Sequence, residues 1–347
     1  MEIFAEGKVA VVTGASSGIG RAVARHCTGL GMKVCIIDID GPELTQAAEE
    51  LKQLARNPDD VLAQEADVAK RESMEAVRSA VLAHFQVNTV HFLMNNAGVG
   101  TGGGALADAK IWEKTMSVNL NGVINGCQVF VPLMKDAGEC GIIVNTGSKQ
   151  GITCPPGNLA YNVSKAGVKV YTEGLEHELR QRGGGEAGPR RLRAHLLVPG
   201  WVNTSIVRKQ RRAEQGAAYR EEEVPFHEGR PAAGAWMPDQ LVAFFMDELR
   251  KGTFYIICPD NEVDIETDNL RMQWAMQDIT ERRPPLSRWH DDYKEDFTAY
   301  LQAAAENSKT NNQEKQQEED KKATCANNQQ PAEKKRRMGE EQNQEKL

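Results

Sequence analysis

Between Lys8 and Cys258 the chain alternates seven short runs rich in β-branched residues with longer amphipathic stretches. The short runs are KVAVVT, KVCIID, DVLAQ, VHFLMN, GIIVNT, RLRAHLLV and FYIIC; between them, helical periodicity covers 18–31, 42–56, 70–85, 108–135, 158–182 and 238–250. Strand and helix in alternation pair each strand in parallel with a neighbour through a right-handed crossover. Strands that are apolar almost throughout belong to a sheet covered on both faces. The expected fold class is therefore α/β, one doubly wound parallel sheet of about seven strands.

Two segments break the rhythm. Residues 199–236 separate the sixth strand from the next helix, and a connection of that length is usually a lid or a binding loop. Its polar run RKQRRAEQGAAYREEE suits an exposed lid helix or a plain solvated one. Residues 263–306 carry Trp274, Trp289, Tyr293, Phe297 and Tyr300 at spacings suited to helices packed on the first domain. From about Asn307 the chain is Gln, Asn, Glu and Lys with few apolar residues, so 307–347 is expected to be a disordered low-complexity tail. Within it, Lys334, Lys335, Arg336 and Arg337 resemble a nuclear import signal or a basic contact patch. The expected division is a first domain over 1–262, the extension 263–306 and the tail.

Composition narrows the function classes. A net charge of −7 over 347 residues gives no global basic field, which argues against nucleic acid and anionic membrane as partners. No apolar run approaches the roughly 20 residues of a membrane span, and MEIFAEGK lacks the pattern of a signal peptide, so a cytoplasmic protein is expected. The seven cysteines show no metal-site spacing and read as reduced thiols, most of them filling apolar positions; no metal is expected.

After the first strand comes TGASSGIG, in which Gly14, Gly18 and Gly20 open a helix. Glycines here allow a tight turn and a close backbone approach to a pyrophosphate, whose charge is held by amide groups and the positive helix end. Asp38 ends the second strand, 18 residues after Gly20, where a carboxylate accepts hydrogen bonds from both ribose hydroxyls. The same carboxylate repels a 2′-phosphate, and no Arg or Lys stands at the glycine turn or just after Asp38. NAD is therefore expected rather than NADP.

With these residues the sequence resembles the short-chain dehydrogenases/reductases in their single-domain form, from Lys8 to about Asp260. TGASSGIG, with Ser16, Ser17 and Ile19, is similar to that family's cofactor turn. Asp67-Val68 is similar to its adenine-contacting pair, and NNAG, from which Asn95, Ala97 and Gly98 are taken as cofactor residues, to the end of its fourth strand. Asn119 in SVNLNG, Ser148, the YNVSK of Tyr161 to Lys165, and PGWVNT, with Pro199, Gly200, Val202 and Thr204, complete the set in order. The resemblance implies a Rossmann-type oxidoreductase moving hydride between a nicotinamide and an alcohol or carbonyl substrate. It also implies that Asn119 keeps a water in a proton path, that Lys165 bonds the nicotinamide ribose, that the PG loop lines the nicotinamide pocket and that Thr204 bonds the carboxamide. The helices at 108–135 and 158–182 are the family's usual subunit interface, so a homodimer or homotetramer is expected.

The catalytic reading has its own physical logic. A free tyrosine, with a pKa near 10, is a poor base at neutral pH and needs a nearby cation to favour the phenolate. Tyr161 and Lys165 are i and i+4 on one helix face. Ser148 is placed to orient the same substrate oxygen. Between Ser148 and Tyr161, KQGITCPPGNLA should form one wall of the pocket, where Lys149 and Gln150 either meet a polar substrate or are solvated, and Cys154 stands near. Trp201, Ile206, Tyr219 and Phe226 of the lid favour a bulky, partly hydrophobic substrate. A dinucleotide-binding redox sensor or scaffold, recruiting a partner through its C-terminal tail, is the alternative.

Overall fold

The computed structural model describes residues 3–100, 102–181 and 191–307. Seven strands, β1 (Val9–Thr13), β2 (Lys33–Asp38), β3 (Val61–Glu65), β4 (Phe92–Asn95), β5 (Gly141–Thr146), β6 (Leu192–Val198) and β7 (Tyr255–Ile257), form one sheet in the order β3-β2-β1-β4-β5-β6-β7. Every pairing is parallel. The expected doubly wound, Rossmann-type sheet is what the chain forms.

Alternate strand residues supply opposite faces. Ala10, Val12, Val34, Ile36, Phe92 and Met94 pack with α1 (Gly18–Gly29), α2 (Gly41–Leu54) and α9 (Pro238–Lys251). Val9, Val11, Cys35, Ile37 and Leu93 pack on the other face with α3 (Arg71–Phe85), α5 (Gly122–Ala137) and α7 (Leu159–Gln181). This period of two inside uniformly apolar strands explains why the sequence shows no polar alternation: both faces are core.

The helix expected over 108–135 is not continuous. α4 (Ala109–Met116) passes through one π turn, Ser117–Asn121, before α5 begins. A second departure is α6 (Gln150–Thr153), a single turn ahead of α7. Gly151 presses it onto α7: a Cβ there would lie 2.8 Å from the amide nitrogen of Ala166. The lid holds α8 (Ile206–Gln215). At its base Asn203 is buried and bonds Ala232 in both directions, accepting from its amide at 2.8 Å and donating to its carbonyl at 3.2 Å.

The chain divides into two compact units, Met1–Leu286 and Ser287–Leu347, so the boundary expected at 262 falls inside the first. The first unit includes α10 (Ile265–Thr280), whose Trp274 is buried with the Arg283 guanidinium 3.8 Å from its ring centroid. In the second, Arg288 lies over Trp289 and Phe297, 4.7 and 5.2 Å from their centroids. The tail expected at 307–347, Asn307 apart, and its basic run fall outside the described residues. No helix among the described residues is long and apolar enough to cross a membrane.

Candidate active site

The strand order reverses between β1 and β4, and their C-terminal ends part to leave a crevice of the kind in which such sheets hold ligands. Thr13, the last residue of β1, fixes the opening, its hydroxyl accepting the amides of Asn96 at 2.9 Å and Ala97 at 3.0 Å. The glycine turn follows. Gly14 and Gly18 have φ of +65° and +58°, and a Cβ on Gly14 would lie 2.7 Å from the Ala97 Cα. Gly20 has no space beside the Gly14 carbonyl and Asn96. Only glycine satisfies both the conformation and the contact.

These residues border a cleft of about 1110 Å³ that runs from Asp38 and Asp67 at one end to Ser148 and Tyr161 at the other. Gly14, Ser17, Gly18, Ile19, Asp38, Asp67, Val68, Ala97 and Gly98 line it, together with Pro199, Gly200, Val202 and Thr204. A long, thin ligand with an anionic middle fits this arrangement, since the amide end of α1 lies between the two ends.

At the Asp38 end the geometry adds a residue that the sequence pattern did not supply. One Asp38 oxygen accepts from the Ser16 hydroxyl at 2.6 Å and the Ser16 amide at 3.1 Å, and the other from the Ile39 amide at 2.8 Å. Lys209 of α8 donates to that Ser16 hydroxyl at 3.0 Å and pairs with Glu43 at 3.0 Å. Arg208 meets the same Glu43 at 3.0 Å. A cation therefore does stand at the glycine turn, delivered by the lid from 193 residues away. The solvated-helix reading of this run does not hold for Arg208 and Lys209.

Asn95 faces away from the cleft. It is buried, with its amide donating to Asn145 at 2.8 Å and reaching the Cys127 sulfur at 3.3 Å, between β4, β5 and α5. Its neighbour Asn96 lines the cleft and donates to the carbonyls of Thr13 at 3.1 Å and Gly14 at 3.3 Å, bracing the glycine turn. NNAG contained this signal, but the period of two puts the first asparagine inside and the second at the crevice. Asn119 is fully buried in the π turn; its side chain accepts the Val99 amide at 2.8 Å and donates to the Val99 carbonyl at 3.0 Å and to Ser164 at 3.1 Å. With its amide group so engaged, Asn119 joins the 98–100 loop to α7, and its side chain has little left for a water.

Ser148, Tyr161 and Lys165 come together at the inner end. Ser148 follows β5 and hydrogen-bonds Tyr161. Its hydroxyl also accepts the Gln150 amide at 3.2 Å, which sets its direction. Lys165 is buried below, with Nζ 2.8 Å from the Thr146 carbonyl and 5.7 Å from the centre of the Tyr161 ring. Burial pushes the Lys165 ammonium down to about 8, so it keeps its proton at neutral pH. Burial also raises the Tyr161 phenol, and the bond to Ser148 lowers it only part of the way back. A bound substrate oxygen and the lysine charge must together offset that burial before Tyr161 exchanges a proton.

Of the segment between Ser148 and Tyr161, Lys149 and Gln150 border the cleft, but Lys149 is neither solvated nor free for a substrate. Its ammonium lies 2.5 Å from Asp268 and 3.3 Å from Asp260. Cys154 is half-buried with φ of +48°, and burial raises its thiol, so it shows none of the marks of a reactive cysteine. On the lid, Trp201 and Phe226 meet edge to face at 5.2 Å and, with Ile206 and Val207, line the cleft; Tyr219 does not. Glu228 reaches from the lid to the backbone amide of Gly18, a contact to which no local pattern pointed. No group of metal-ligating side chains occurs among the described residues.

Comparison with known proteins agrees with this geometry. Residues 8–215 match the family profile described as short chain dehydrogenase. The chain is 32% identical over 217 residues to human 15-hydroxyprostaglandin dehydrogenase [NAD(+)], covering 62% of this chain and 76% of that one. It is 32% identical over 251 residues to 3beta-hydroxysteroid dehydrogenase 1 of Eggerthella lenta, covering 69% and 89%. A short-chain dehydrogenase/reductase from Burkholderia phymatum, solved in complex with NAD, superimposes with a TM-score of 0.68 at 31% identity over 81% of this chain and 96% of that one. The chain belongs to the short-chain dehydrogenase/reductase family of oxidoreductases.

Proposed function

We propose that this protein is an NAD(H)-dependent dehydrogenase of secondary alcohols, or a reductase of the matching ketones, acting through Ser148, Tyr161 and Lys165. The observation that carries the reading is the Ser148–Tyr161 hydrogen bond above a buried, charged Lys165 at the end of a cleft that begins at Asp38. A nicotinamide dinucleotide, when bound, supplies the hydride acceptor or donor. Asp38 holds the adenosine ribose, and Gly14 to Gly20, with Ser16, Ser17 and Ile19, hold the pyrophosphate. Asp67 and Val68 border the adenine. Ala97, Gly98, Pro199, Gly200, Val202 and Thr204 enclose the nicotinamide half. Asn95, which lies in the core, is given no part in this.

In the direction of oxidation, Ser148 donates to the substrate oxygen and holds it beside the Tyr161 hydroxyl. Tyr161 takes the hydroxyl proton, and the Lys165 charge favours the phenolate that receives it. Reduction runs the same transfers backward. The apolar wall of Val99, Trp201, Ile206, Val207 and Phe226 selects a bulky, largely hydrophobic substrate and excludes water from the reacting oxygen. The curated relatives named above are dehydrogenases of a prostaglandin and of a hydroxysteroid, consistent with that size. The exposed Val163 and Val170 on α7 suit a contact between two copies of the chain, and a homodimer or homotetramer is part of the proposal. The test is a panel of bulky secondary alcohols and ketones assayed with each dinucleotide. Turnover with NAD(H) supports the reading; tight NADH binding with no turnover of any member favours the redox sensor.

A further inference from the structure

Directly behind the catalytic serine lies a buried charge cluster that the reaction scheme does not use. Lys149, with a side chain 16% exposed, sits between Asp260 at 6% and Asp268 at 3%. Arg271 acts on Asp268 as a further positive charge. A buried lysine with two carboxylates is expensive to assemble and costly to break, so its geometry is well defined wherever it survives.

What these charges touch gives the cluster its meaning. Lys149 is the residue after Ser148, and its carbonyl accepts the amides of Ile152 and Thr153, each at 3.0 Å, so fixing Lys149 fixes α6 and the serine. Asp260 accepts the Trp201 amide at 3.0 Å with the oxygen that meets Lys149, and the amides of Glu262 at 3.1 Å and Val263 at 2.8 Å with the other. Gly200 lies against both: a Cβ there would be 2.8 Å from the Asp260 oxygen and 2.8 Å from the Lys149 nitrogen. Ser148 and the Pro199–Trp201 turn both line the cleft, and one ion cluster ties them together. The remaining anchor, Asp268, belongs to α10, beyond β7 and outside the 8–215 span that matches the family profile.

We propose that Asp268 is a positioning residue for the reaction, holding Ser148 through Lys149 and the Pro199–Trp201 turn through the Lys149–Asp260 contact. The helical extension is thus a working part of the active site. The inference rests on the oxidoreductase reading above. Its logic is that catalysis depends steeply on placement, with a shift of about 1 Å in a positioned group costing on the order of 10²-fold in rate. Removing the Asp268 charge lets Lys149 move toward Asp260 and carries α6 with it.

The test uses the full chain and the isosteric variant Asp268→Asn, with Lys149→Gln as a second variant should the first fold poorly. Active sites are counted by NADH titration. The expected result has two parts. Amide hydrogen exchange speeds up in 148–153 and 199–203, and turnover per NADH-binding site falls by roughly 10²-fold with NADH affinity little changed. In a double-mutant cycle the two substitutions together cost no more than either alone. Unchanged exchange in both segments overturns the proposal. So does faster exchange with wild-type turnover per site, because that is the behaviour of a merely structural cluster. Wild-type protein that binds NADH but turns over nothing removes the oxidoreductase reading, and the positioning role with it; the other two failures leave the wild type active and so are told apart.

Discussion

The backbone amide of Gly18, the first residue of α1, donates to the side-chain carboxylate of Glu228, a lid residue 210 positions further on. An anion at the amide end of a helix is favourable, and this is the middle of the cleft, where a dinucleotide pyrophosphate is expected. Glu228 and a pyrophosphate would compete for one amide and repel each other. Glu228→Gln is therefore expected to tighten NADH binding by a few-fold to about tenfold, a gain of up to roughly 1.4 kcal/mol. Fluorescence titration checks this, and weaker binding in the variant would mean that Glu228 helps to hold the cofactor.

Cofactor choice is expected to turn on two opposing charges at the Asp38 end of the cleft. Asp38 repels a 2′-phosphate, whereas Lys209, 3.0 Å from the Ser16 hydroxyl that Asp38 binds, attracts one. Because Lys209 is also neutralised by Glu43, the carboxylate is expected to prevail and NADH to bind more tightly than NADPH. Asp38→Ala should raise NADPH affinity about tenfold, roughly 1.4 kcal/mol, and Lys209→Ala should sharpen the preference for NADH about fivefold, roughly 1 kcal/mol. Equal affinities in the wild type would show that Lys209 outweighs Asp38.

The placement of Asn95 makes a stability prediction. Its amide holds Asn145, which in turn donates to the Thr172 hydroxyl at 3.1 Å in the core. Asn95→Ala leaves the Asn145 oxygen without that donor and should cost about 1–3 kcal/mol in urea unfolding. NADH affinity of the folded protein should not change. A selective loss of NADH binding at unchanged stability would restore Asn95 to the cofactor site.

Lys165 makes the stability depend on pH in a definite direction. Burial holds its folded pKa at about 8, below the 10.5 of a free lysine. Between these values the unfolded chain binds more protons, so this group's contribution to stability rises with pH over that window. Four buried thiols, Cys27, Cys35, Cys127 and Cys258, are raised by burial above the ordinary thiol range and act in the opposite sense above it. Comparison with Lys165→Met isolates the lysine: wild type should gain on the variant from pH 8 upward, by at most about 3 kcal/mol. A difference independent of pH over that window would mean that burial does not lower the Lys165 pKa.

What the sequence made legible was local or periodic. The order of strands and helices, the positive-φ glycines and the i, i+4 pair of Tyr161 and Lys165 follow from neighbouring residues, and the structure has them where the pattern put them. The period of two also assigns Asn95 to the core, once the β4 register is known. What was not legible depends on how distant segments close: Lys209 on Ser16 across 193 residues, Lys149 on Asp260 across 111. Such contacts are set by loop paths, and a lysine beside Ser148 looks the same in sequence whether water, substrate or two aspartates will meet it. The π turn around Asn119 was hidden for a related reason, because its widening accompanies hydrogen bonds to Val99 that no helical period encodes.

The proposed proton transfer turns on the Tyr161 hydroxyl. Tyr161→Phe removes one oxygen from the cleft and leaves the ring, Ser148 and Lys165 in place. With a substrate that the wild type oxidises, NADH production should fall by roughly 10²- to 10⁴-fold, while NADH affinity measured on the same sample stays within about twofold, as for a group that acts on the transition state and not on ground-state binding. Turnover retained at the wild-type rate would mean that Tyr161 does not carry the proton.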